Sequence, residues 1–411
     1  MRICIDARIG RSGLYGGIEQ FVIGLASGLS DIATPEDEFI FLCYPGCDAW
    51  LRPFLRNGCQ ILYTSSPAPS DSASKAFIRK TTPWAMDAWY RLPWSWYIHP
   101  FRPALSDGTI ERAAVDVMHF TTQSAFLTRV PSIYHPHDLQ HLHLPQYFSR
   151  RTRAAREYSY RLFCNRAEIV SVNSEWTRSD IIKHYGLAPS AVRVVELASP
   201  TEAYDSVKAD ANAVCCRLKV PQDFALYPAQ TWPHKNHIML LRAIAKLRDE
   251  DLLVVPLVCC GGRTSHFKSI NTEIHKLGLH NQVVFPGFVS PGELRCLYDL
   301  CRCVVIPTKF EAGSFPLWEA FHSGRAAACS DVTSLPEQAG GAALLFNPDC
   351  VDQICDCLRR LWLDEKLRNE LVQRGLKQVQ RTSWARTASE FRKIYLEITR
   401  NRQAAPLALA D

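Results

Sequence analysis

Long hydrophobic runs are missing from this sequence. No apolar stretch approaches the ~20 residues that a membrane-spanning helix needs, although 47% of its 411 residues are hydrophobic. The opening Met1-Arg2-Ile3-Cys4-Ile5-Asp6 lacks the apolar core and small-residue cleavage site of a signal peptide. It reads instead as a first β-strand, and the expected location is cytoplasmic, peripheral at a membrane's inner face at most. Zinc spacing is missing as well. Sixteen cysteines occur, but Cys301-Arg302-Cys303 and Cys355-Asp356-Cys357 are C-x-C pairs without the C-x2-C or histidine partners of a zinc site. Scattered through apolar runs, as at Cys259 and Cys260, they are expected to act as small buried hydrophobes, so no disulfide framework or structural metal is expected.

Charge of one sign is only mildly in excess, at +6, too little to point to a nucleic-acid partner. Basic residues do gather at Arg150, Arg151, Arg153, Arg156, Arg161 and Arg166. On a helix they form a wide basic face, either simply solvated or turned to phosphate-bearing lipid or nucleic acid. Trp84 to Pro103 concentrates Trp84, Trp89, Tyr90, Trp94, Trp96, Tyr97 and Phe101, with Pro83 just before it and Pro93, Pro100 and Pro103 within it. Such a segment docks a membrane surface, lines an acceptor groove, or packs on its own domain.

What is present is a rhythm. Short runs rich in Val, Ile, Leu and Phe alternate with longer segments of helical period, which predicts parallel sheets covered by helices. First-half strands are expected at Ile3–Asp6, Phe39–Tyr44, Gln60–Tyr63, Val117–Phe120, Ser132–His137, Glu168–Asn173 and Val192–Leu197. Helices are expected at Ile18–Leu29 and Ser174–His184, with Ser174 as N-cap. The rhythm breaks between Pro200 and Pro221 and restarts at Phe224. Second-half strands follow at Leu252–Cys260, Val283–Pro286, Cys303–Pro307, Ala326–Cys329 and Ala343–Phe346, with helices at Lys235–Arg248 and Ser290–Leu300. The expected α/β organisation is a first Rossmann-like domain over 1–199, a linker over 200–220, and a second Rossmann-like domain over 221–383. A long C-terminal helix over 384–400 would return to the first domain, and the two domains would face a central cleft.

The sharpest chemical signal follows the strand at Cys303–Pro307. There Glu311-Ala312-Gly313-Ser314-Phe315-Pro316-Leu317-Trp318-Glu319 reads as a tight loop running into a helix, with proline in the first turn and Ser314 as a fitting cap. A helix N-terminus offers backbone N–H groups and the positive end of a dipole to an anion. One turn on, Glu319 could accept bonds from ribose hydroxyls, and Glu311 could reach a sugar. Alone, two acids at this spacing are weak evidence, because ordinary surface acids pair by chance; their place across a glycine-containing turn after a strand strengthens it.

Glu311 to Glu319 resembles the E-x7-E motif of the retaining nucleotide-sugar glycosyltransferases of family 4, with the GT-B fold. Asp331-Val332-Thr333-Ser334-Leu335-Pro336-Glu337 is similar to that family's Ser-Leu-Pro-Glu segment. Tyr227 to His237 resembles its first βα loop of the second domain, Tyr15-Gly16-Gly17-Ile18-Glu19 its Gly-Gly loop, and His135-Pro136-His137-Asp138-Leu139 its His-Asp segment. Val172-Asn173-Ser174-Glu175-Trp176 completes a resemblance running from Met1 to about Tyr395.

The resemblance implies roles. Lys235 would contact the diphosphate, Glu319 the ribose, and Glu311 with Gly313, Ser314 and Phe315 the donor sugar and phosphates. Gly16 and Gly17 would let backbone approach phosphate, having no Cβ in the way. His137 would stand near the reacting carbon, with Asp138 and Glu19 orienting sugar or acceptor. Many relatives carry arginine where this chain has Gln230, so Lys235 would do more, or His234, Arg263 or Lys309 would compensate. The histidines His234, His237, His141 and His143 read as phosphate or acceptor contacts or as satisfied loop residues. Metal-independent transfer is expected, from a donor of GDP-mannose or UDP-glucose type to a glycan or lipid-linked saccharide. The alternatives are an epimerase on the same fold and a catalytically silent, glycan-binding scaffold.

Overall fold

The computed structural model describes residues 1–10, 16–65, 102–200 and 210–404. The aromatic segment from Trp84 to Phe101 lies outside them, as does Tyr15. By internal contacts the chain forms two units. One comprises Met1–Asn173, Arg178–Val195 and Ala385–Asp411, and the other Ser174–Thr177 and Glu196–Trp384.

The first unit is built on seven parallel strands: β1 (Arg2–Asp6), β2 (Glu38–Cys43), β3 (Cys59–Tyr63), β4 (Val117–Phe120), β5 (Ser132–Tyr134), β6 (Ile169–Val172) and β7 (Val192–Val194). Their spatial order is β3-β2-β1-β4-β5-β6-β7. β1, β4 and β6 are buried almost throughout, as strands covered on both faces must be. The helix Trp384–Ala404 belongs to this unit from Ala385 on. Its Phe391 and Tyr395 lie against His119, and its Arg392 pairs with buried Asp37 at 2.8 Å.

The second unit has six parallel strands: β8 (Ala225–Pro228), β9 (Leu257–Cys260), β10 (Val283–Gly287), β11 (Cys303–Ile306), β12 (Ala327–Ser330) and β13 (Ala343–Phe346). They run in the order β10-β9-β8-β11-β12-β13. Both sheets are therefore doubly wound with the same reversal of strand order, after β1 in one and after β8 in the other. All sixteen cysteines are free, and Cys259, Cys260, Cys301, Cys303, Cys355 and Cys357 are buried.

Several elements differ from the sequence reading for local reasons. The strand expected from Leu252 begins only at Leu257. Pro256 has no N–H to give a ladder and restricts the residue before it, and the preceding Leu252 and Val254 are 87% and 56% exposed. The strand expected to reach His137 stops at Tyr134, short of Pro136. Lys235 does not open a helix. It closes a 3-10 turn, Pro233–Lys235, and the helix His237–Glu250 starts beyond Asn236, which adopts a left-handed φ of 61°. Within residues 200–220, Ala211–Leu218 is a helix capped by the Asp210 carboxylate. Its Val214 and Leu218 enter the second unit's core.

Candidate functional site

In a doubly wound sheet, ligands bind beyond the carboxyl ends of the strands where the strand order reverses. In the second unit that place lies between β8 and β11. The loops leaving these two strands carry Gln230 to Asn236 and Pro307 to Ser314.

The two loops are tied together by backbone and amide bonds. Lys309 N–H donates to the His234 carbonyl at 2.7 Å. The Asn236 amide donates to the carbonyls of Pro307 and Pro348, each at 2.9 Å. From β8 itself, the Tyr227 hydroxyl donates to the Lys235 carbonyl at 2.7 Å. Lys235 is thereby held at a fixed height, and its Nζ lies 2.6 Å from Glu311 Oε2, both side chains being mostly buried. An ion pair in such a place persists because each partner offsets the other's lost hydration.

A third segment braces the Glu311 side. Thr333 Oγ1 accepts from Glu311 N–H at 3.1 Å, and its hydroxyl donates back to the Glu311 carbonyl. Ser334 donates to that carbonyl at 2.8 Å. Gln338 clamps Ser314 with both ends of its amide, accepting from the backbone N–H at 2.8 Å and donating to the carbonyl at 2.6 Å. The Ser-Leu-Pro-Glu resemblance thus coincides with a structural brace. Sequence reasoning missed Gln338, because a side chain one helix and one strand further along carries no local pattern that points to Ser314.

Ser314 stands at the N-cap of the helix Phe315–His322, but its side chain does not cap. Gln338 occupies its N–H, and its fully buried hydroxyl has no partner among the described residues. This corrects the expected capping role. A buried hydroxyl left unpaired is costly, so the group is poised for an external acceptor or donor. Farther along the helix, buried Glu319 accepts from the Tyr298 hydroxyl at 2.7 Å. Burial pushes its carboxyl up to about 7, against the pull of the Tyr298 bond. Tyr298 was not singled out from sequence, since it comes from the preceding helix, Pro291–Leu300.

Gln230 does not stand in for a cation. Its side-chain oxygen accepts from the indole of half-exposed Trp232 at 2.7 Å. The expected compensators are also engaged: Arg263 lies over the Phe267 ring and donates to the Phe285 carbonyl, and Lys309 pairs with Asp349. The carbonyl of His234 accepts from Lys309 and Thr308. Beneath Gln230, Gly261 has a φ of 143°, and a Cβ there would fall 2.4 Å from the Ala229 carbonyl oxygen, so only glycine lets β9 approach this loop. His237 is not a satisfied loop residue. It is buried at the start of its helix against Tyr227, with both ring nitrogens unpartnered, and burial holds it neutral at about 3.

The corresponding place in the first unit lies between β1 and β4. Gly16, with φ 50°, precedes the helix Gly17–Ile32, and Glu19 is buried in its first turn. Beyond β5, Asp138 N–H donates to the Pro136 carbonyl at 2.9 Å, closing a γ-turn around His137, whose φ is 67°. A γ-turn with a positive central φ is rare and strained. The His137 ring meets the Thr121 carbonyl at 2.7 Å through Nε2, and burial lowers its affinity for a proton. Neutral, it donates through Nε2–H and leaves Nδ1 as the acceptor. His135 and His119 lie behind it, both pushed down by burial, His119 to about 3. Asp138 accepts from Gln140 N–H at 2.9 Å. Sequence reasoning missed Arg8, whose guanidinium forks onto buried Asp6 at 2.8 and 2.9 Å at the end of β1.

On the helix Arg150–Arg166 the basic residues divide. Arg161 pairs with Glu157 and Arg156 lies over Phe148, while Arg150, Arg151 and Arg166 are exposed. No helix among the described residues is long and apolar enough to cross a membrane.

Comparison with known proteins agrees with this geometry. Residues 51–201 match Glycosyltransferase Family 4, and residues 217–378 match Glycosyl transferases group 1. The O-antigen chain mannosyltransferase B of Escherichia coli is 27% identical over 249 residues, which is 60% of this chain and 65% of that protein. A D-inositol 3-phosphate glycosyltransferase of Corynebacterium aurimucosum is 25% identical over 283 residues, 65% of this chain and 66% of that protein. The matched part thus spans a little under two thirds of each relative's length. Among solved structures, Anabaena Alr3699/HepE in complex with UDP and glucose superposes with a TM-score of 0.69 at 17% identity, covering 97% of this chain and all of that one. With residues 51–201 and then residues 217–378 matching these two glycosyltransferase descriptions on a two-sheet fold, the chain belongs to glycosyltransferase family 4, the glycosyl transferases group 1, and has the GT-B fold.

Proposed function

We propose that the protein is a retaining hexosyltransferase that moves a sugar from a nucleotide diphosphate to a hydroxyl of a glycan or lipid-linked acceptor. The observation that carries this reading is the group beyond β8 and β11: the Lys235–Glu311 pair beside Ser314, whose buried hydroxyl lacks a partner among the described residues. A diphosphate would draw Lys235 from Glu311 and engage the Ser314 hydroxyl. Glu311 is then released toward the sugar, with Gly313 and Phe315 at the phosphates and Glu319 at the ribose. Gln230 contributes shape and its bond to Trp232 rather than charge.

As the bond from the anomeric carbon to the diphosphate oxygen breaks, negative charge grows on that oxygen. Lys235 and the helix start stabilise it, usually the largest catalytic contribution. The acceptor hydroxyl forms its bond on the same face and passes its proton to the departing phosphate oxygen. His137, set in its strained turn, would orient the sugar through its carbonyl and neutral ring, with Asp138 and Glu19 on the acceptor side and Gly16 and Gly17 near phosphate. Strain of this kind is found at functional sites. The relatives' names favour mannose, and the nucleotide in HepE is UDP. The test is proton NMR of slow donor hydrolysis, with GDP-mannose and UDP-glucose each supplied without acceptor. First release of the α-hexose is expected. First release of the β-hexose, or interconversion of the donor sugar without cleavage, would overturn the reading.

A further inference from the structure

A second cluster, in the first unit, joins His143 to two residues not singled out above, Asp180 and His184. Asp180 and His184 are spaced i,i+4 on the helix Glu175–Tyr185, so they share one face. His143 ends the short helix Gln140–His143 and turns to the same carboxylate. Its Nε2 lies 2.9 and 2.8 Å from the two oxygens of Asp180, and His184 Nε2 lies 3.4 Å from Oδ1. The rings are nearly perpendicular, at 85° with centroids 5.7 Å apart. One ligand atom from each residue falls within 4.8 Å of the others, and among the described residues this is the one group of three so placed.

We propose that His143, Asp180 and His184 form a binding site for a first-row divalent cation, Zn²⁺ foremost. Bonds of about 2.0–2.2 Å to imidazole nitrogen and carboxylate oxygen place neighbouring tetrahedral ligands about 3.3–3.6 Å apart. The distances from the two histidines to Asp180, 2.8 to 3.4 Å, stand near that spacing already, and the three ligand atoms lie within 4.8 Å of one another, so side-chain rotation alone can close the set around an ion. Two imidazoles with one carboxylate suit Zn²⁺ and its neighbours and disfavour Mg²⁺ or Ca²⁺, which take mainly oxygen. Burial also fits. The Asp180 side chain is 7% exposed, whereas His143 and His184 are 32% and 34% exposed, so the oxygen ligand is fixed inside and the imidazoles border water. A water would complete the sphere. A bound ion would fasten the helix that follows Asp138 to the helix Glu175–Tyr185, stabilising the segment beyond the His137 turn without entering the transfer chemistry.

The test uses the full-length protein, stripped by chelator and titrated with Zn²⁺ and then Co²⁺. His184→Gln and His143→Gln are measured alongside, with circular dichroism to establish that they fold. The wild type should take up one equivalent, rise in melting temperature, and give a visible Co²⁺ spectrum without thiolate charge transfer. Each variant should bind at least about tenfold more weakly, because even outer-shell partners carry about 10- to 100-fold of metal affinity. Equal binding by the wild type and a folded His184→Gln, uptake through thiolates, or no uptake at all would overturn the proposal.

Discussion

The two sheets reverse strand order in the same way, yet the chemistry at the two reversals differs. Beyond β8 and β11 the loops are tied to each other and braced by Thr333, Ser334 and Gln338, and they hold a lysine, two glutamates and a hydroxyl unpaired among the described residues. Beyond β1, β4 and β5 stand histidines that burial keeps neutral, a glycine with positive φ, and a histidine in a strained turn. Identical topology therefore supplies a location without deciding what binds there. The charged reversal suits a polyanion. The other carries the Arg8–Asp6 pair and Glu19, but its histidines are neutral and one of them sits in a strained turn.

The largest effect should come from Lys235→Ala, with kcat/KM falling about 10²–10³-fold, as when one preorganised donor to a developing anion is removed. A steady-state assay of the folded variant reads this directly, and a tenfold smaller loss would blur the contrast between the reversals. Next, Glu319→Gln should weaken nucleotide affinity about 10- to 100-fold, the range for losing charge-assisted bonds to hydroxyls. Its carboxyl is raised from 4.5 to about 7, so wild-type affinity should climb with pH through that window as the carboxylate ionises. Calorimetric titration at stepped pH should show the climb in the wild type and a flat profile in Glu319→Gln. The unliganded protein moves oppositely. Stability linked to the raised carboxyl is fully present below about 4.5 and lost as pH rises through about 7, and Glu319→Gln should abolish that slope in thermal melts.

Gly261→Ala should cost about 1–3 kcal/mol of stability, since it combines a φ forbidding to other residues with a backbone collision; denaturant unfolding measures it. Smallest is His137→Gly. Relief of the strained φ offsets loss of the bond to Thr121, so stability should stay within about 1 kcal/mol while turnover falls. Chelation should leave turnover unchanged below the melting temperature. Loss restored by Mn²⁺ or Mg²⁺ would contradict metal-independent transfer.

Much of this was legible in the sequence, because strands buried on both faces announce themselves as apolar runs and glycine-bearing turns mark the loops between them. The α/β class and the family resemblance both emerge from such local signals. Failures cluster where a single backbone atom decides. Pro256 delays β9, Asn236 separates Lys235 from its helix, and Gln338 takes the Ser314 N–H and leaves the hydroxyl unpaired. Tyr298 and Arg8 escaped notice because what defines them is a partner, Glu319 or Asp6, and neither pairing leaves a spacing that reads as chemistry. The strain at His137 depends on a γ-turn, which no residue type announces.

The most direct test of the contrast is calorimetric titration of UDP and GDP onto the wild type, Lys235→Ala and His137→Ala. The account predicts that one nucleotide binds the wild type, that Lys235→Ala loses most of that affinity, and that His137→Ala keeps it while losing turnover. Affinity retained by Lys235→Ala and lost by His137→Ala would move the diphosphate to the first unit and contradict the account.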